Sequence, residues 1–271
     1  MTTEPGSAPA HLASTVLLLR DGAEGLEVFM VVRNYAIDFA SGALVFPGGR
    51  VDPADHGLAA DPHRCPPPTL HHVTDLVTKV AAIRETFEEC GILLTRPHGS
   101  PDLVSAPRLA GIETRHRARL AKGEITLAEV AAAEDLILAP DLLVPFAHWI
   151  TPAAMPKRFD THFFLAAAPA DQTGMHDGHE SVDSVWITPA RALAGVAAGT
   201  YKMVFATHLN IVKLARWAST AAAIDTARRT RVVTVEPDIL KRPDGSRRLR
   251  IPAEADYGGT EFDPDLPSAT P

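Results

Sequence analysis

The chain has 271 residues, 46% hydrophobic and 22% charged, enough to bury a core in one large domain or two small ones. A formal net charge of −7 argues against a general nucleic-acid binder, which needs clustered excess Lys and Arg. A small anionic substrate stays compatible, because a metal ion can meet its charge locally. Two cysteines, Cys65 and Cys90, cannot make a disulfide framework or a four-thiolate zinc site; they could form one bridge, but reduced thiols in the cytoplasm are the simpler reading. No run approaches the roughly 18 apolar residues of a membrane span. The first eleven residues lack the basic start of a signal peptide.

Residues 1–11 and 257–271 are rich in Pro, Gly, Ser, Thr and Asp and read as disordered tails. Residues 14–19 and 26–32 predict two strands, joined by the turn residues Asp21-Gly22-Ala23-Glu24-Gly25. The apolar run Ala43-Leu44-Val45-Phe46 is stopped by Pro47-Gly48-Gly49. Residues 53–72 carry five prolines and the pair His71-His72, and read as a surface loop whose histidines are not metal ligands. Leu76, Val80, Ile83 and Phe87 recur at helical spacing, and Gly91 suits a C′ position, so a helix is predicted over about 74–90.

Residues 107–136 read as a helical insertion, with Thr126 and Glu129 forming a capping box. Strands are predicted at 143–150, 162–168 and 182–187. Thr188-Pro189 then starts a helix through Leu193. Residues 206–228 are Ala-rich and helical, and 231–235 a last short strand. Strands and helices interleave throughout, which points to a layered α/β arrangement.

The chemistry lies in Arg84-Glu85-Thr86-Phe87-Glu88-Glu89-Cys90-Gly91-Ile92. On a helix Glu85, Glu88 and Glu89 share one face, opposite the apolar one. Like charges at i and i+4 cost about 0.2–0.5 kcal/mol per pair, and acids in the C-terminal half of a helix oppose its macrodipole. A hard divalent cation, Mg²⁺ or Mn²⁺, repairs that arrangement. Arg84 can orient the set through bidentate hydrogen bonds. The competing reading is a solvated acidic face.

The nine residues resemble the second half of the Nudix box, Arg-Glu-U-x-Glu-Glu-x-Gly-U with U a bulky apolar residue. Phe46-Pro47-Gly48-Gly49 resembles the strand and turn that lead into it. Thr86 departs at the first U. The acid expected six positions after the second glycine is Asp55, with Asp52 as an alternative. Gly49 and Arg84 stand 21 residues further apart than in the usual box. An insertion there resembles the peroxisomal-type acyl-CoA and CoA diphosphatase branch. So do Trp149-Ile150-Thr151-Pro152, Arg158-Phe159-Asp160-Thr161 and the stretch from Glu180 to Pro189. A separate CoA-recognition signature is not found.

The resemblance implies a Nudix α/β/α sandwich with a mixed β-sheet, a helical insertion and a C-terminal helical extension. It spans about 12–200, with insertions near 53–72 and 107–136; the extension occupies 201–256. The implied activity is hydrolysis of a diphosphate linkage in a nucleotide-derived small molecule, with CoA or acyl-CoA leading. Nucleotide sugars, dinucleoside polyphosphates and a non-catalytic nucleotide-binding regulator are the alternatives. Glu85, Glu88 and Glu89 are expected to hold Mg²⁺ or Mn²⁺ together with the Gly48 carbonyl, and Arg84 to position them. Glu180 is the candidate loop acid, as base or ligand, with Asp183 behind it and a plain surface glutamate as the rival reading. Arg33 and Arg158 are candidates to receive phosphate, unless they are simply exposed arginines. Trp149 and Phe163 read as core. Cys90, near the helix end, is not expected to be a nucleophile. No nucleic-acid or membrane partner is expected, and a homodimer through 206–228 is compatible with the enzyme.

Overall fold

A computed structural model describes residues 8–34, 42–67, 73–176 and 181–263. Strand β1 (Ala10–Gly22) turns through Ala23 and Glu24 into β2 (Gly25–Arg33), followed by the short strands β3 (Leu44–Val45) and β4 (Gly48–Arg50). Helix α1 (Pro53–Ala59) precedes the long helix α2 (Val73–Cys90). The strands β5 (Thr95–Pro97) and β6 (Leu136–Leu138) bracket the helices α3 (Ala106–Ile112), α4 (Ala118–Ala121) and α5 (Leu127–Ala133). Then come β7 (Val144–Ile150), β8 (Arg158–Ala167), β9 (Ser181–Ile187) and α6 (Pro189–Ala197). The chain continues with α7 (Phe205–Leu214), α8 (Thr220–Arg229), β10 (Thr234–Val235), β11 (Asp238–Lys241), β12 (Arg247–Arg250) and β13 (Glu261–Phe262).

The main sheet runs β10-β7-β8-β1-β2-β3, with β4 added to β1 and β9 to β2. It is mixed: β1 is parallel to β8 and antiparallel to β2 and β4. Val16, Leu17, Leu18 and Leu19 are all fully buried, because β1 is covered on both faces. That is why this stretch reads as a continuous apolar run rather than an alternation. Val16 and Leu18 pack with Val80, Ile83 and Phe87 of α2, and Leu17 and Leu19 pack with Leu209, Leu214 and Ala223 of α7 and α8. Helices therefore flank the sheet on both sides, as an α/β/α sandwich does. Each large side chain buried there contributes about 1.5–3 kcal/mol.

Several expectations change. Residues 53–67 are not simply loop. Asp52 caps α1, accepting from the Ala54 amide at 2.8 Å, while Asp55 accepts from the Asp52 amide at 2.8 Å. Five prolines hid this helix, although Pro53 sits at its first turn, where a missing N–H costs nothing. His71 and His72 lie outside the described residues. The single Ala-rich helix of 206–228 is two, because Ser219 caps a new start by accepting from the Ala222 amide. The expected tail does not begin at 257: Tyr257 is buried, and its hydroxyl donates to Asn210 Oδ1 at 2.8 Å. The C-terminal extension is not purely helical, since β11, β12 and β13 form their own sheet. The Thr126–Glu129 capping box is present at the start of α5. Among the described residues no helix is long and apolar enough to cross a membrane.

Candidate active site

Helix α2 lays its acidic edge against β4, and the glycine pair makes the approach possible. A Cβ on Gly49 would overlap the Glu85 carboxylate, and one on Gly48 would overlap the Ser14 carbonyl. The Gly48 amide donates to Glu89 Oε2 at 3.3 Å. The helix ends at Gly91, with φ of 68° and its amide bonded to the Phe87 carbonyl at 3.0 Å. Arg117, from the π-helical stretch Glu113–Arg117 that joins α3 to α4, donates to the Glu88 carbonyl at 2.9 Å. The helical insertion thus supplies a cation and a donor to a helix end whose own side chains are acidic.

Arg84 organises the cluster. Its Nη1 donates to Glu85 at 2.8 Å and Glu88 at 3.1 Å, and its Nη2 to the Arg50 carbonyl at 2.8 Å. Its Nε donates to Asp55 Oδ1 at 3.0 Å and its Nη2 to Asp55 Oδ2 at 3.1 Å. Burial pulls the Arg84 pKa down, but Glu85, Asp55 and Glu88 raise it by more, so it stays protonated. Asp55, 2% exposed, is therefore the anchor of Arg84, and Asp52 is a helix cap. The long excursion after β4 returns that anchor to the arginine. Thr86, the departure from the box pattern, is buried with its hydroxyl donating to the Ala82 carbonyl at 2.7 Å, so it costs no unsatisfied group.

Glu89 is buried, and Glu85 and Glu88 are only 12% and 14% exposed. Asp55, Glu85 and Glu88 surround one guanidinium, and Glu89 adds a fourth carboxylate on the same helix face. A half-buried excess of negative charge is costly unless a cation balances it, so the donor set fits a hard divalent ion. Arg84 stands between Glu85 and Glu88, and Glu89 turns to Gly48.

Glu85 and Glu88 line a cleft of about 1180 Å³ that also receives Arg33 and Arg50. The Arg33 Nε is buried without a hydrogen-bond partner among the described residues, so it keeps a donor for an anion. Arg158 is committed elsewhere, correcting its reading as a phosphate receiver or a plain exposed arginine. Buried at 8% exposure, it donates to the Thr151 and Ala8 carbonyls and to Glu236, tying the start of β8 to its neighbours. Trp149 and Phe163 are buried as expected, yet both also edge the cleft. Met155, Phe205, Ile239 and Leu249 add apolar lining from other segments of the chain. None of these was singled out in the sequence, for they meet only through the fold. Glu180 lies outside the described residues. Asp183 is exposed on β9 and accepts from the Ser184 amide. Cys90 is buried, and burial pushes the Cys65 thiol up to about 12, so neither thiol is presented as a nucleophile.

A model of the NUDT19 Nudix domain matches residues 68–203, taking in α2 and the strands through β9. The chain is 31% identical over 214 residues to the Homo sapiens protein named acyl-coenzyme A diphosphatase NUDT19, covering 63% of this chain and 55% of that one. It is 29% identical over 208 residues to the Gallus gallus protein of the same name, covering 62% and 55%. It thus spans about half the length of the curated relatives it matches. A crystal structure of a Nudix hydrolase from Alicyclobacillus acidocaldarius is 28% identical and superposes with a TM-score of 0.71, covering 80% of this chain and 96% of that one. With half of the chain matched by the family's domain and the acidic helix seated on its glycine turn, the chain belongs to the Nudix hydrolase family, related to the NUDT19 branch.

Proposed function

We propose that the chain hydrolyses a diphosphate linkage in a nucleotide-derived molecule, with CoA or acyl-CoA as the leading substrate. The observation that carries this is the acidic edge of α2 abutting Gly48 and Gly49 at the mouth of a large cleft. Glu85, Glu88 and Glu89, with the Gly48 carbonyl, would hold Mg²⁺ or Mn²⁺, which neutralises the diphosphate and acidifies the attacking water. Arg84 keeps Glu85 and Glu88 in place. Arg33 binds a phosphate oxygen with its Nε donor, which has no partner among the described residues. Glu180, in the segment before β9, takes the water's proton or adds a further ligand. Water supplies its oxygen to one phosphorus, the bridging oxygen leaves with the other, and two phosphate monoesters result.

The cleft's volume and its mixed lining support the CoA reading. Arg33, Arg50 and Arg84 line it with the acids, and Phe205, Ile239 and Leu249 add apolar surface, which suits a diphosphate joined to a long, partly apolar tail. The names of the human and chicken relatives support it too. Glu89→Gln is expected to lower turnover about 100- to 1000-fold, since one ligand charge is lost while the glutamine oxygen can still accept from Gly48. The check is a panel of CoA, acyl-CoA esters, nucleotide sugars and dinucleoside polyphosphates with Mg²⁺ and with Mn²⁺, beside thermal melts. Undiminished turnover in a folded Glu89→Gln protein would overturn the metal assignment. Preference for a nucleotide sugar would overturn the CoA assignment alone.

A further inference from the structure

A second group of ligand-type side chains meets on β7 and β8, two strands from the glycine pair. His148 Nε2 is hydrogen-bonded to Asp160 Oδ1, and His162 Nε2 stands 3.9 Å from the same oxygen. One ligand atom from each of the three lies within 4.8 Å of the others. The imidazoles stack with centroids 4.1 Å apart, and the three side chains are 17%, 31% and 24% exposed in the order His148, Asp160, His162.

Strand register creates this cluster. His148 lies opposite His162 in the β7–β8 pair, and Asp160 is two residues along β8, on the same face. Thr234 of β10 lies opposite His148, and its hydroxyl is 2.8 Å from His148 Nδ1. The row continues through Ser14, opposite His162, to Gly49, opposite Ser14. At about 4.8 Å per strand, His162 is about 10 Å from the glycine that Glu85 overlies. Between them the Ser14 hydroxyl is fully buried, with no hydrogen-bond partner among the described residues.

We propose that His148, Asp160 and His162 form a separate binding site for a borderline divalent ion of the zinc class. Two imidazoles and one carboxylate select Zn²⁺ over Mg²⁺, and three protein ligands leave a position for water. Ligand atoms around tetrahedral Zn²⁺ sit about 3.4 Å apart, so the 3.9 Å spacing closes by side-chain rotation. Thr234 is the outer contact that fixes the ring of His148. When Nε2 takes the metal, Nδ1 carries the ring proton and donates it to the Thr234 hydroxyl. Nothing here rests on the diphosphatase reading.

The test uses the full chain, tag-free, stripped with chelator and then titrated with Zn²⁺ by calorimetry in excess Mg²⁺, with Co²⁺ absorption as a second probe. One Zn²⁺ per chain is expected, with a Co²⁺ spectrum of low coordination number. His162→Ala and Asp160→Asn are expected to weaken Zn²⁺ about 100-fold, and Thr234→Val about 10-fold, while Glu88→Gln leaves it unchanged. Thr234→Val replaces no ligand and serves if a ligand variant fails to fold. No Zn²⁺ uptake in excess Mg²⁺, uptake unaffected by both His162→Ala and Thr234→Val, or uptake abolished by Glu88→Gln would each overturn the proposal.

Discussion

The two walls of the cleft are built in different ways. On the acidic side, Arg84, Glu85, Glu88 and Glu89 come from less than two turns of one helix, and their relative placement follows from helical geometry alone. On the apolar side, Met155, Phe205, Ile239 and Leu249 come from four separate segments and meet only because β7, α7 and the C-terminal sheet pack together. Chemistry placed on one rigid element tolerates insertions elsewhere, as the excursion after β4 shows. A specificity wall collected from distant segments can change with any of them.

That difference can be sharpened by experiment. Arg84→Lys keeps the charge but loses the fork that joins Asp55, Glu85 and Glu88. It is expected to cut kcat about 10- to 100-fold with KM little changed, read from steady-state hydrolysis. Leu249→Ala removes apolar surface from the opposite wall. It should raise KM for a long-chain acyl-CoA about 10-fold, on the order of 1.4 kcal/mol, and leave kcat alone. A fall in kcat instead would mean that the two walls do not work separately. Tyr257→Phe removes the acceptor of the buried Trp149 indole N–H, which lies 2.9 Å away. It should cost about 1–2 kcal/mol in urea unfolding without altering kcat.

The same contrast explains what could be read in advance. The acidic face, the Gly91 stop and the Thr126–Glu129 cap are local patterns, and all three are present. The burial of β1 on both faces follows from its unbroken apolar run. Asp55 was placed by counting from Gly49, but its role as the partner of Arg84 depends on how a 21-residue excursion folds back. Arg158 looked like a phosphate ligand because a guanidinium suits one. Its partners, Ala8, Thr151 and Glu236, are scattered along the chain, and no sequence window contains them. Likewise, Ser219 breaks the Ala-rich helix by capping a new one, and alanine's high helix propensity masked that break.

The central claim is that the α2 acids grip divalent cations beside the glycine pair. Mn²⁺ titration of the full chain, followed by electron paramagnetic resonance, tests it most directly against a Glu85→Gln, Glu89→Gln double variant whose fold is checked by near-ultraviolet circular dichroism. The account predicts Mn²⁺ binding by the unaltered chain and a loss of affinity of about 100-fold or more in the variant. Equal affinity in a folded variant would contradict it.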